Sequence, residues 1–192
     1  MTTQLNSVLP LQMSDGEFAE LCRRLEPMSI ELTKEGLIRM MAPAGNESSD
    51  ANSEIITQLR NWWKTHRSGR VFDSNTLFTL PDGSRLGPDA AYITSERLTT
   101  IPRDSLRGFG HVCPNFVIEL LSATDSPKDA TEKMHNWVAN GVEVGWLLDP
   151  YERVSYVFGE RSYSTKASGL EGSGPVKGFT LDLTEVWGIF TR

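Results

Sequence analysis

The sequence predicts an α+β fold with an α/β-like core: a mixed central β-sheet flanked by helices, in the core order helix, three strands, helix, strand (αβββαβ). Three stretches carry that prediction. Asn115 to Ser122, read NFVIELLS, is apolar on both alternating faces, as a central strand covered on both sides must be. Thr124-Asp125-Ser126-Pro127 then places a polar cap and a first-turn proline ahead of a helix to about Asn140, with Gly141 as its stop, before Val142 to Leu148 returns as a strand. Strand, helix and strand at this spacing make a crossover unit, which puts both strands in one sheet. Further upstream, Pro81-Asp82-Gly83-Ser84 carries strong turn chemistry between two extended runs, so those runs form a hairpin.

Taken in order, residues 1–12 are uncharged and irregular and read as a flexible tail; a single domain follows over 13–192, with its core at about 43–158. Ser14 and Glu17 have capping-box spacing, and Phe18, Leu21, Cys22 and Leu25 then recur at helical intervals until Pro27. Ile30 to Leu32 and Leu37 to Met41 flank a turn in which Gly36 supplies a positive φ, a second hairpin. After the turn at Pro43-Ala44-Gly45-Asn46, Ser48, Ser49 and Asp50 are candidate N-caps for a helix to about His66, with Ile55, Ile56, Leu59, Trp62, Trp63 and His66 as its apolar stripe. Arg70 to Asp73, Thr76 to Leu80 and Leu86 to Ile93 read as strands. Thr94 to Pro114 has no clear period and is long for a loop, so it is a functional loop or contains short helices. Arg153 to Phe158 is a further strand after the Asp149-Pro150 turn. The Gly-, Ser- and Thr-rich remainder reads as a hairpin and loops closing on Val186-Trp187-Gly188-Ile189-Phe190.

The chain has 192 residues, 39% hydrophobic and 23% charged, the composition of an ordinary globular protein. Its N-terminus lacks a basic region followed by an apolar core, and no apolar run approaches the ~20 residues of a membrane helix, so the expectation is a cytoplasmic protein without a membrane partner. Cys22 and Cys113 lie far apart in segments of different type and read as two free thiols. A net charge of -6 weighs against nucleic acid, yet Arg85, Arg97, Arg103, Arg107 and Lys128 supply basic residues mid-chain that could form a local patch.

Glu119 is the anomaly in the apolar strand. A buried carboxylate must be neutralised, paired with a cation, or placed at a metal site. Asp89, in Gly87-Pro88-Asp89-Ala90-Ala91-Tyr92, lies on a strand that could pair beside it; two carboxylates on neighbouring strands suit Mg²⁺, which takes one or two and keeps several waters. Lys133 follows on the next helix and can lean back toward Glu119. The plainer readings are a turn residue for Asp89, a structural ion pair with Lys133 or Arg85 for Glu119, and a solvated helix face for Lys133. Zinc is disfavoured, because His111 and Cys113 find no second ligand pair at the usual spacing. Neither a nucleophile elbow nor a Gly-rich phosphate loop is present.

PDAAYI, FVIELLS, EKMHNW and GVEVGWLLDP, in that order from roughly Met40 to Phe158, resemble the family of small bacterial restriction endonuclease-like proteins within the PD-(D/E)XK nuclease superfamily. The resemblance implies a restriction-endonuclease-like fold and a Mg²⁺- or Mn²⁺-dependent endonuclease hydrolysing DNA phosphodiester bonds. It implies Asp89 and Glu119 as catalytic metal ligands, the Leu120 carbonyl as a third, and Lys133 as a catalytic lysine relocated to the following helix. The pattern departs at Leu121, where the usual lysine is missing. Glu47 and Glu54 are both candidates for a further carboxylate from the first core helix. Leu121 and the acidic balance support the alternative, a catalytically inactive nuclease-fold protein acting as a DNA- or protein-binding regulatory module. Cleavage of duplex DNA would be served by a homodimer, through the Trp62-Trp63 helix or the apolar C-terminus.

Overall fold

Residues 13–190 are described by the structure, a computed structural model; the tail expected over 1–12 lies outside the described residues. Helix α1 (Asp15–Leu25) opens with the expected capping box, Ser14 and Glu17 each satisfying the other's backbone N–H. Strands β1 (Ser29–Leu32) and β2 (Ile38–Met41) pair antiparallel across a turn in which Gly36 has φ 75°, as its position requires. Helix α2 (Asn46–His66) begins earlier than the polar residues at 48–50 suggest. Gly45 is its N-cap, without a side-chain bond, and Glu47 supplies first-turn charge, so Ser48, Ser49 and Asp50 lie inside the helix.

Strand β3 (Arg70–Asp73) follows, then β4 (Phe78–Thr79) and β5 (Arg85–Leu86), joined by the Pro81–Ser84 turn as an antiparallel hairpin. The run expected as one strand from Leu86 to Ile93 is broken. Leu86 ends β5 in one sheet, while β6 (Ala90–Ile93) belongs to another. Proline at 88 cannot donate a ladder hydrogen bond, and this is where the chain changes sheets. The irregular stretch contains helix α3 (Ser95–Thr100) and a 3-10 turn over 103–106. Strand β7 (Phe116–Leu120) is buried at every position. Helix α4 (Pro127–Ala139), capped by Ser126, leads to β8 (Val144–Asp149), parallel to β7, which completes the crossover. Strands β9 (Val154–Gly159) and β10 (Tyr163–Thr165) continue that sheet, and β11 (Gly169–Glu171) pairs with β12 (Thr180–Asp182). The last apolar run, to which the sequence assigned no element, falls in helix α5 (Leu183–Ile189) and its C-cap, a helix started by the Asp182 side chain accepting from Thr184 N.

The six-stranded sheet has the order β10-β9-β8-β7-β6-β3, and a second sheet the order β2-β1-β5-β4. The alternation of β7 assigns its side chains to two layers. Phe116, Ile118 and Leu120 join Ile55, Leu59, Trp146, Leu181 and Val186 under α2 and α5, while Val117 and Leu121 join Met134, Trp137 and Leu147 under α4. Each such large apolar side chain taken from water contributes about 1.5–3 kcal/mol. Glu119, between Ile118 and Leu120, is on the α4 side by parity. Cys22 and Cys113 are both free. Among the described residues, no helix is long and apolar enough to cross a membrane.

Candidate active site

Four segments meet where β5 gives way to β6: the turn Gly87-Pro88-Asp89, the end of β7, the middle of α4, and β1. The structure brings Asp89, Glu119 and Lys133 into this one place. Asp89 N donates to the Ile118 carbonyl at 3.0 Å, which fixes the turn against β7. Its carboxylate accepts from Leu120 N at 2.7 Å and from Asn52 Nδ2 at 2.7 Å. Burial pushes the Asp89 carboxyl above its ordinary pKa, against the opposing effects of the Leu120 N–H, Lys133 and Asn52.

Glu119 is 8% exposed. Its Oε1 accepts from Trp137 Nε1 at 2.8 Å, and Lys133 Nζ stands 3.0 Å from both carboxylate oxygens. Lys133 and Trp137 are four residues apart on α4 and so project from one helix face onto the same carboxylate. Lys133 Nζ also donates to the Gly87 carbonyl at 2.7 Å and meets Glu31 Oε1 at 2.8 Å. Burial disfavours charge on Lys133, but Glu119 and Glu31 outweigh it and hold the ammonium above its ordinary pKa. Glu119 is pushed up to about 8, chiefly by burial, with Asp89 and Glu31 adding to the rise and Lys133 opposing it. An ion pair alone would lower a carboxylate. Glu119 rises because burial disfavours its charged form, with Asp89 and Glu31 adding to the rise against the pull of Lys133.

Glu31 was missed by the sequence reading, although it stands between Ile30 and Leu32 as Glu119 stands between Ile118 and Leu120; the same signal marks both. Asn52 carries no comparable signal. It is the α2 side chain that reaches Asp89, and its Oδ1 is buried without a hydrogen-bond partner. Of the two glutamates considered on that helix, Glu54 accepts from Gln58, and Glu47 lies within electrostatic range of Tyr151. Arg85, an alternative partner for Glu119, instead pairs with Asp15 at 2.8 Å and covers the Phe18 ring. Arg97 holds the carbonyls of Cys113, Pro114 and Gly141.

Leu121 faces the same layer as Glu119 and is part of the apolar packing under α4, so the cation there comes from the helix and not from the strand. Pro88, just ahead of Asp89, has no N–H to offer the strand alongside, and the Asp89 N–H bonds the Ile118 carbonyl. Among the described residues no three His, Cys, Asp or Glu side chains converge to hold an ion by themselves. Two carboxylates, a carbonyl and water are nevertheless a donor set that suits Mg²⁺.

The sequence model of a family described as "Putative restriction endonuclease", Uma2, matches residues 15–184. The chain belongs to the Uma2 family. In keeping with that assignment, the structure of a "putative nuclease" from Anabaena variabilis superposes with a TM-score of 0.74 at 21% identity, covering 93% of this chain and 99% of that one. The two share the restriction-endonuclease-like fold. A DrdV–DNA complex reaches a TM-score of only 0.33 at 12% identity, over 69% of this chain and 10% of that one, too distant to carry an argument. No curated protein matches this Uma2 member.

Proposed function

We propose that this Uma2 protein is a Mg²⁺- or Mn²⁺-dependent endonuclease acting on DNA phosphodiester bonds. The observation that carries the reading is the buried pair Glu119 and Glu31 on one lysine, with the Asp89 carboxylate beside them on the Leu120 N–H. Asp89, Glu119 and the Leu120 carbonyl would hold the cation. Bound there, a divalent ion would supply activated water and neutralise charge on the phosphate. Trp137 and Lys133 orient Glu119, the Leu120 N–H and Asn52 orient Asp89, and the Lys133 ammonium supplies positive charge where the phosphate gains negative charge.

The test is cleavage of duplex, branched and single-stranded DNA by purified protein with Mg²⁺ or Mn²⁺. We expect metal-dependent cutting that Glu119→Ala abolishes in a folded protein. Cutting that survives Glu119→Ala, or no cutting of any form together with no Mn²⁺ binding, would sink the proposal. A second reading, a nuclease fold that binds without cutting, draws on Lys133: its three N–H groups already meet Gly87, Glu31 and Glu119. DNA binding without metal-dependent cleavage in the same assay would favour it.

A further inference from the structure

We infer that Glu31 is a positioning residue that draws the Lys133 ammonium partly away from Glu119, leaving Glu119 able to ligate a cation. The inference rests on the metal-dependent reading above. An ammonium has three N–H groups, and Lys133 finds an acceptor for each: the Gly87 carbonyl at 2.7 Å, Glu31 Oε1 at 2.8 Å and Glu119 at 3.0 Å. Glu31 is thus the nearer carboxylate. It is 1% exposed and arrives from a different sheet, on β1, so no local spacing ties it to α4.

Glu31 Oε1 has a second task. It accepts from Gly87 N at 2.9 Å, so one oxygen holds both the lysine and the turn leading into Asp89. The approach is close: a Cβ at Gly87 would come 3.0 Å from the Thr76 carbonyl and 4.0 Å from Glu31 Oε1. Glutamine at 31 keeps a carbonyl oxygen for the Gly87 N–H but removes the charge. Glu119 is then the one carboxylate left on Lys133, and the ammonium competes with any cation for it. A residue that merely fills the interface would alter stability without altering that competition.

The experiment is Mn²⁺ binding by titration calorimetry and electron paramagnetic resonance on the full chain, in four forms: wild type, Glu31→Gln, Lys133→Met and the double variant. Glu31→Gln should weaken Mn²⁺ binding about tenfold, the scale of outer-sphere effects on metal affinity. In the Lys133→Met background, the same change should cost nothing. Wild-type binding with Glu31→Gln unchanged, or an equal loss in both backgrounds, would overturn the inference alone. Absence of Mn²⁺ binding by wild type would overturn the metal reading and the inference with it. Should Glu31→Gln fail to fold, the double variant carries the test, since it removes a buried carboxylate and the buried ammonium together. Mn²⁺ affinity equal to that of Lys133→Met supports a role for Glu31 exercised through Lys133, and weaker binding than Lys133→Met refutes it.

Discussion

Trp137 is a core residue with a polar task. Its ring is fully buried under the sheet, and its indole N–H holds Glu119 Oε1 at 2.8 Å. Trp137→Phe keeps most of the ring and removes the donor; we expect a loss of about 1–3 kcal/mol in stability from the weakened satisfaction of a buried carboxylate, measured by urea unfolding. A loss below a few tenths of a kcal/mol would mean that Lys133 alone satisfies Glu119. The same carboxylate makes the metal-free fold sensitive to pH. Its ordinary pKa is 4.5, and in the folded state it rises to about 8, chiefly through burial. The folded state therefore holds the proton more tightly, so this contribution to stability is fully present below pH 4.5 and is lost as pH rises toward 8. Asp89, also raised by burial, acts with the same sign. The urea midpoint of metal-free protein should fall as pH rises from about 5 to 8, and Glu119→Gln should flatten the fall; a midpoint rising over that window would contradict the assignment.

Among the elements, the junctions govern the site. The β5-to-β6 break at Gly87-Pro88 leaves Asp89 just ahead of β6, its N–H on the Ile118 carbonyl and its side chain reaching β7 and α2. The join from α2 to β3 is equally constrained: Gly69 has φ +69°, and a Cβ there would lie 2.2 Å from the Ile93 carbonyl. Gly69→Ala should cost about 1–3 kcal/mol through backbone strain and that clash, read as a lower thermal midpoint. An unchanged midpoint would mean that the junction relaxes freely. Helix α4 was legible in detail, from the Ser126 cap and Pro127 to its end at Gly141, because its signals are local. Helix α5 was not. It is seven residues long, too short for a periodicity to declare itself, and Val186 and Trp187 are buried against α2's side of the sheet.

For the molecule as a whole, the site joins two sheets. The small sheet sends Glu31 into it, and the large sheet supplies β6 and β7. A cation bound at this meeting point binds the folded state alone, so Mn²⁺ at a hundred times its dissociation constant should stabilise the protein by about 2.7 kcal/mol. Differential scanning calorimetry should show a Mn²⁺-dependent rise in melting temperature that Glu119→Ala abolishes. An equal rise in that variant would place the cation elsewhere.

The mixed sheet, the crossover of β7, α4 and β8, and the order αβββαβ were readable because alternation, caps and turn residues act between near neighbours in the chain. Glu119 stood out as a carboxylate in an apolar strand, and Asp89 and Lys133 became candidates through their places beside it and through the family resemblance. The partners of these residues were not readable in the same way. Glu31 meets Lys133 and Asn52 meets Asp89 across long separations in sequence, between segments that no local rule relates. The split of Leu86 to Ile93 between two sheets likewise depended on which strands lay alongside. Local chemistry declares the elements and their anomalies, whereas sharing one ammonium among distant carboxylates depends on packing that only the folded chain creates.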